Sequence, residues 1–340
     1  MRKTFAYLTG LSFVCFAFVL GQSCSKTDDG SDDILGNWIR SSDFDGNARS
    51  EAVVFIIGDN VYLTTGTTDR DRFKDLWEYN LDRRYWSQKA DLPGVARNSA
   101  VAFSINGKGY VGTGYDGVNR LNDFWEYDPG TNQWTQKKNF QGTARYDASS
   151  FTLNNKGYVA CGFDGNYLKD LWQYDPVSDS WTQKASIDGT KRSAAVSFVI
   201  NNKAYICSGN NNGSALNDLW VYDDQTNTWS EKRKITSISD EDYDDDYTNI
   251  PRINGTAFTI GNYAYLATGE NSSLITNTWE YNPTNDTWLQ RTAFEGSART
   301  GAASFTLNNR GFVLTGRSGS LSFDNAYELK PTEEQDDDDN

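Results

Sequence analysis

Two aromatic signatures recur at a nearly constant interval along this chain, and no other feature limits its fold so tightly. Arg followed six residues later by Phe occurs at Arg49/Phe55, Arg97/Phe103, Arg145/Phe151, Arg192/Phe198, Arg252/Phe258 and Arg299/Phe305, with successive Arg spacings of 48, 48, 47, 60 and 47. Trp-x-Tyr-x6-Trp recurs at Trp77/Tyr79/Trp86, Trp125/Tyr127/Trp134, Trp172/Tyr174/Trp181, Trp220/Tyr222/Trp229 and Trp279/Tyr281/Trp288, which takes up ten of the 11 tryptophans. Between the signatures every unit carries a turn, an aromatic stretch and a glycine: Gly66, Gly114, Gly162, Gly209, Gly269 or Gly316. Self-similarity at such a period marks a repeat architecture, in which each unit buries its apolar faces against its neighbours.

Each unit reads as four short strands. The first runs from the Arg through the Phe, and Asn-rich turns such as Asn201-Asn202 and Asn308-Asn309 suit a tight hairpin with positive φ. The second strand is expected to end at the glycine. A variable loop leads to the third, as in Asp170-Leu171-Trp172-Gln173-Tyr174, and a further turn leads to the fourth, around Trp181-Thr182-Gln183. One four-stranded sheet cannot cover two aromatic-rich faces, whereas blades set around an axis can, which is the propeller solution. The eleventh tryptophan predicts how the ring closes. Trp38 precedes Arg49 by 11 residues, as Trp86 precedes Arg97, while the last unit stops near Pro331 where its fourth strand should begin. Asn37 to Ser41 is therefore expected to form the outer strand of the sixth blade, giving an all-β, six-bladed propeller over residues 37–331.

Composition removes several kinds of chemistry. The chain has no histidine, which excludes a Ser-His-Asp triad, a histidine-rich zinc or copper site and an imidazole pH switch. Its 46 acidic and 32 basic residues leave a net charge of −14, unsuited to nucleic acid. The acidic surplus sits in three segments, at 28–33, 240–246 and 333–339; without them, and without Arg2 and Lys3, 30 acids face 30 bases. Cys161 and Cys207 stand one register apart in neighbouring units and read as buried core thiols, not a disulfide. No cofactor is expected, and the chain is expected to be a monomer.

The first residues read as an address. Arg2-Lys3 and the apolar run Phe5–Leu20 fit a secretory signal over residues 1–23, too short for a typical spanning helix. This N-terminus resembles a bacterial lipoprotein precursor, although Gly21 stands where such signals usually carry Leu; the resemblance implies lipidation of Cys24. The acidic stretch Asp28-Asp29-Gly30-Ser31-Asp32-Asp33 resembles the surface-export tether of Bacteroidetes-type lipoproteins. The implied location is the outer membrane, facing the cell surface, with the periplasmic face as the alternative and the lipid as the sole membrane contact. Residues 24–36 are then an acidic tether and 332–340 an acidic disordered tail.

The repeats resemble kelch propellers, through the Tyr-x6-Trp pairing, the strand-ending glycine and the period near 48, with Thr-Gly, Cys-Gly or Ser-Gly where kelch strands often carry Gly-Gly. That resemblance implies that the six arginines gather on the loop-bearing face around the mouth of the central channel, where guanidiniums suit carboxylate, sulfate or phosphate groups. The competing reading pairs each Arg inside its own blade with Asp75, Asp123, Asp170 or Asp218. Units five and six carry neutral Asn277 and Asn325 instead. The ligand-binding candidates are therefore Arg252 and Arg299, with Arg317 and Glu270, which follow Gly316 and Gly269. The 60-residue spacing places an insertion on the same face. A solvated acidic loop is expected there, and a calcium site at Asp240, Asp242, Asp244 and Asp246 is the alternative.

Two enzymes share the kelch architecture. The copper chemistry of galactose oxidase needs histidine ligands and is not carried over. In sialic-acid epimerase, a one-domain kelch enzyme, a Gly-Glu pair like Gly269-Glu270 implies Glu270 as a proton carrier, but Thr276 stands where that motif has Arg. The expected function is non-catalytic recognition of a surface glycan or protein ligand, through loops such as Tyr115-Asp116-Gly117, Asn166-Tyr167 and Asn210-Asn211-Asn212. The alternative is a sugar isomerase using Glu270.

Overall fold

The computed structural model describes residues 34–336, with Met1 and Asp338; the signal segment, Cys24 and the tether as far as Asp33 lie outside the described residues. Six antiparallel sheets of four strands follow one another in chain order. Their first strands, Val53–Ile57, Val101–Ile105, Ser149–Leu153, Val196–Ile200, Thr256–Ile260 and Ala303–Leu307, contact one another in a closed cycle around a channel. Blade 3 shows the plan, with Ser149–Leu153, Lys156–Ala160, Leu171–Asp175 and Ser180–Lys184 paired in that order.

The Trp-x-Tyr-x6-Trp signature is a cross-strand pair. Tyr174 faces Trp181 across the third and fourth strands of blade 3, with ring centroids 5.0 Å apart, and the same pairing recurs at Tyr79/Trp86, Tyr127/Trp134, Tyr222/Trp229 and Tyr281/Trp288. Direct cross-strand aromatic pairs stabilise a sheet by about 0.2–1 kcal/mol each. The Phe of each Arg-x5-Phe signature fixes blade to blade. A Cβ at Gly109 would lie 2.1 Å from the Phe55 ring, and Gly157 and Gly311 receive Phe103 and Phe258 at the same 2.1 Å. In these three neighbours only glycine leaves room for the ring.

The ring closes as expected. Asn37–Arg40 pairs with Ala326–Lys330, and Trp38, fully buried, packs edge-on against Phe258 and Phe294. Blade 6 thus takes its outer strand from the start of the described chain. On the channel side, hydroxyls of the inner strands reach back to the preceding blade: Ser150 Oγ donates to Ala102 O, Ser197 Oγ to Ser150 O and Ser304 Oγ to Ala257 O.

Four details differ from the sequence expectation. First strands begin four residues after the Arg, because the second residue after it has positive φ, as at Glu51 (56°) and Asp147 (53°). Second strands end two residues before the glycine, whose predecessor is also left-handed, as at Thr65 and Cys161. The acidic insertion is not simply solvated: Tyr247 and Ile250 enter the core beside Trp279 and Trp288, and Asp244 is buried. The tail is held as far as Asp336, where Gly36 N donates to Glu333 O and Asp336 N to Asn37 Oδ1. Cys161 and Cys207 are free, buried thiols, and burial pushes both up to about 12, out of the reactive range.

Trp38 carries the closure, so Trp38→Ala should cost about 3–5 kcal/mol. A thermal melt should fall by several degrees as one cooperative transition; an unchanged midpoint would show that the seam bears no load.

Candidate functional site

The six signature arginines lie inside the blades, each without exposed surface. This corrects the expectation that they ring the channel mouth. In blades 1–4 the guanidinium is held bidentately by the in-blade aspartate: Arg49 Nη1 and Nη2 reach Asp75 at 2.6 and 2.8 Å, and Arg97, Arg145 and Arg192 repeat this with Asp123, Asp170 and Asp218. The third-strand tryptophan adds its indole N–H to the same carboxylate, as Trp77 does at 2.7 Å. Burial acts to raise the carboxyls of Asp75, Asp123 and Asp218, but the arginine and tryptophan bonds outweigh it and hold them below the usual range.

Blades 5 and 6 lack that carboxylate. Arg252 is satisfied by carbonyl oxygens alone, those of Asn249, Ile250, Thr268 and Asn277. Arg299 reaches Ser297 O, Thr315 O and Asn325 Oδ1 between the Phe294 and Phe323 rings. Arg299 Nη2 and Trp279 Nε1 are left buried without an acceptor. Burial without a bonded carboxylate pushes Arg252 down to about 9 and Arg299 to about 10. Neither offers a surface to a ligand at the mouth, because both guanidiniums are enclosed by their own blades.

The mouth itself is built by residues that share no type. Glu51, Ser99, Asp147, Ala194, Asn254 and Gly301, one per blade, all have positive φ. Their backbones form a closed cycle: Glu51 N donates to Gly301 O, Ser99 N to Glu51 O, Asp147 N to Ser99 O, Ala194 N to Asp147 O, Asn254 N to Ala194 O and Gly301 N to Asn254 O, at 2.7–3.2 Å. The left-handed turn is what frees each N–H from its own sheet to reach the next blade. These residues line a cavity of about 130 Å3.

Beside the cavity stands a continuous aromatic run. Tyr146, next to Asp147, lies 5.3 Å from Tyr115 and 5.6 Å from Phe163, and Phe163 lies 5.1 Å from Tyr167. All four are half-buried. Arg72 sits over Tyr115 and Arg120 over Phe163, which fixes the rings from the neighbouring loops. Tyr115 and Tyr167 belong to loops that the sequence itself offers for recognition. Tyr146, Phe163, Glu51 and Asp147 carry no motif of their own; only their places beside the repeated Arg and Gly set them apart.

The remaining candidates are dispersed. Arg317 is on the rim, 38% exposed, with Nη2 3.6 Å from Glu51 Oε1. Glu270 begins a two-residue hairpin, its backbone paired with Ile253. In the insertion Asp244 turns inward to accept from Ile238 N, Ser239 N and Ser239 Oγ, while Asp240, Asp242 and Asp246 are exposed. Among the described residues no three acidic or thiol groups converge on a metal position, so the calcium alternative finds no ligand set in the insertion.

Comparison with known proteins places the repeats. The model described as KLHDC2/KLHL20/DRC7 Kelch-repeats domain matches residues 39–195, and the Kelch motif model matches residues 191–234. No curated protein sequence matches the chain. Among solved structures, one titled "Structure of YjhT" superposes with a TM-score of 0.70 at 16% identity, covering 84% of this chain and 95% of that one. That likeness concerns the fold.

Two substitutions test the in-blade ion pairs. Asp123→Asn should cost about 3–5 kcal/mol, because it strands a buried guanidinium. Asn325→Asp should raise the melting temperature by giving Arg299 Nη2 its acceptor. Urea denaturation of both variants reads the difference, and a destabilised Asn325→Asp would contradict the account of blade 6.

Proposed function

We propose, from the premise that this chain is a six-bladed propeller of kelch repeats, that it is a recognition module whose channel mouth binds a carbohydrate. The supporting observation is the half-buried run Tyr115, Tyr146, Phe163 and Tyr167 beside a polar cavity of about 130 Å3. Such a cavity suits one ring-sized group. A flat protein interface would need a broader contact. Aromatic faces match the C–H faces of a sugar, and the Glu51, Asp147, Ser99 and Asn254 side chains match its hydroxyls. The aromatic pairs are anchored by Arg72 and Arg120 and by each other, so little ordering is needed when a ligand arrives.

The same proposal places the propeller on the outer membrane through a lipid on Cys24, with its loops turned to the outside. Support comes from the basic start, the apolar run and the cysteine of residues 1–24. Among the described residues no helix is long and apolar enough to cross a membrane.

A glycan array with the purified propeller should give a defined set of hits, and Tyr146→Ala or Tyr167→Ala should weaken them at least about tenfold, the loss of one good aromatic contact, with melting little changed. A blank array together with a protein recovered by surface pull-down would replace the carbohydrate by a protein ligand. For the anchor, Cys24→Ser should shift the chain from the detergent phase to the aqueous phase; equal partitioning of both forms would remove the lipid.

A further inference from the structure

The mouth cavity has a chemical bias that binding of a carbohydrate leaves unspecified. Its polar side chains are Glu51, Ser99, Asp147 and Asn254. The ring backbone adds no donor, because each of its six N–H groups already serves a ring carbonyl. The Ser99 hydroxyl is turned to Glu51 Oε2 at 2.9 Å, so the lining presents mainly acceptors to whatever enters.

The two carboxylates are not equivalent. Glu51 Oε2 also receives Asn98 Nδ2 at 2.5 Å, and Arg317 stands 3.6 Å from Oε1. Asp147 has no lysine or arginine within ion-pair distance among the described residues. Ser99 stands beside both carboxylates with a single hydroxyl proton that is turned to Glu51, and Glu51 is the charge that faces Asp147. Burial first, and Glu51 second, push Asp147 up to about 7. A half-buried carboxylate without a counter-ion costs stability, and among the described residues no cation offsets that cost. A cation entering the cavity would.

We propose that the channel mouth receives the ammonium group of an amine-bearing ligand, with Asp147 as its counter-ion and Ser99 and Asn254 lining the seat. In the reading above the ligand is an amino sugar; the sugar part of this inference rests on that reading, the ammonium part on Asp147 alone. A metal ion fits less well. Calcium takes six to eight oxygen ligands, whereas one of the two carboxylates is already engaged by Arg317 and two neutral donors, and no third acidic group joins them.

The test titrates the full propeller with glucosamine, glucose, N-acetylglucosamine, ethanolamine and calcium chloride at pH 7, by calorimetry. Glucosamine should bind at least about tenfold more tightly than glucose or N-acetylglucosamine, and Asp147→Asn should erase that preference. Glucosamine affinity should fall as pH drops from 7 to 5, since protons then compete for Asp147, with Glu51 and its partner Arg317 the charged groups facing it. The variant's fold is checked by melting. A raised carboxyl destabilises the fold as pH rises from about 4 to about 7, so Asp147→Asn should melt higher than the parent at pH 8 and converge with it near pH 4. Equal binding of glucosamine and glucose, an Asp147→Asn variant that keeps the preference, or saturation by calcium alone would overturn the proposal. Asp147-dependent binding of ethanolamine with a blank glycan array would support the ammonium seat while removing the carbohydrate; neutral glycans bound through Tyr146 with no preference for amines would do the reverse.

Discussion

The buried arginine of each blade is the joint on which the propeller hangs. Its side chain fixes its own blade: Nε binds a carbonyl two residues upstream and Nη1 a carbonyl 16 residues downstream, as Arg97 does with Val95 and Thr113. Its main-chain oxygen fixes the blade before it, accepting from the glycine that follows the second strand there: Gly66 N from blade 1 to Arg97 O, Gly114 N to Arg145 O, and so round to Gly316 N and Arg49 O. That glycine must approach closely and hold φ near +100°, with Ser50 O only 2.9 Å from where a Cβ would be at Gly66. The arginine, the glycine and the left-handed residue two places after the arginine are therefore one device, repeated six times. The closed backbone ring at the mouth is its upper edge.

Because the device is so regular, its departures stand out. Blade 5 has no such aspartate, yet Asn249 O of the insertion before it and Asn277 O take the guanidinium nitrogens of Arg252, and the insertion's Tyr247 hydroxyl accepts from Trp288 N. One carbonyl of the extra loop and one before the third strand thus do what a carboxylate does in the other blades. Blade 6 has no such loop and holds its arginine between aromatic rings. At the mouth the departure has the opposite sign, a carboxylate without a cation at Asp147. Natural folds keep unfavourable groups of this kind where function needs them.

The repeat, the blade count and the closing strand were all legible in the sequence, because Trp38, the Tyr/Trp pairs and the Arg/Phe pairs are side chains whose type is fixed by a repeated contact. The pairing of Arg49, Arg97, Arg145 and Arg192 with their aspartates was legible too, as one of two readings. What failed was placement across blades. Arg252 and Arg299 looked free because their in-blade acids were missing, but extra backbone carbonyls, invisible in a sequence, hold Arg252, and Asn325 Oδ1 with the flanking aromatic rings encloses Arg299. The ring residues Glu51, Ser99, Asp147, Ala194, Asn254 and Gly301 are alike only in φ, so residue identity carries no trace of them. The insertion misled for a related reason: six acids advertised solvent, while Tyr247 and Ile250 decided where the loop goes.

Closure through Asn37–Arg40 has one more consequence. The ends of the propeller meet within a single sheet, Gly36 N bonding Glu333 O, so the ring has no intrinsic first blade. The hydrogen bonds from glycine to arginine and around the mouth run through the junction between blades 6 and 1 as through the other five. Where the chain starts is an accident of connectivity: joined ends and a new break in an exposed outer turn, such as that at Val177, would leave the cycle of contacts unchanged. One sector of the rim, such as that of blades 5 and 6, can therefore differ from the rest without any blade being privileged.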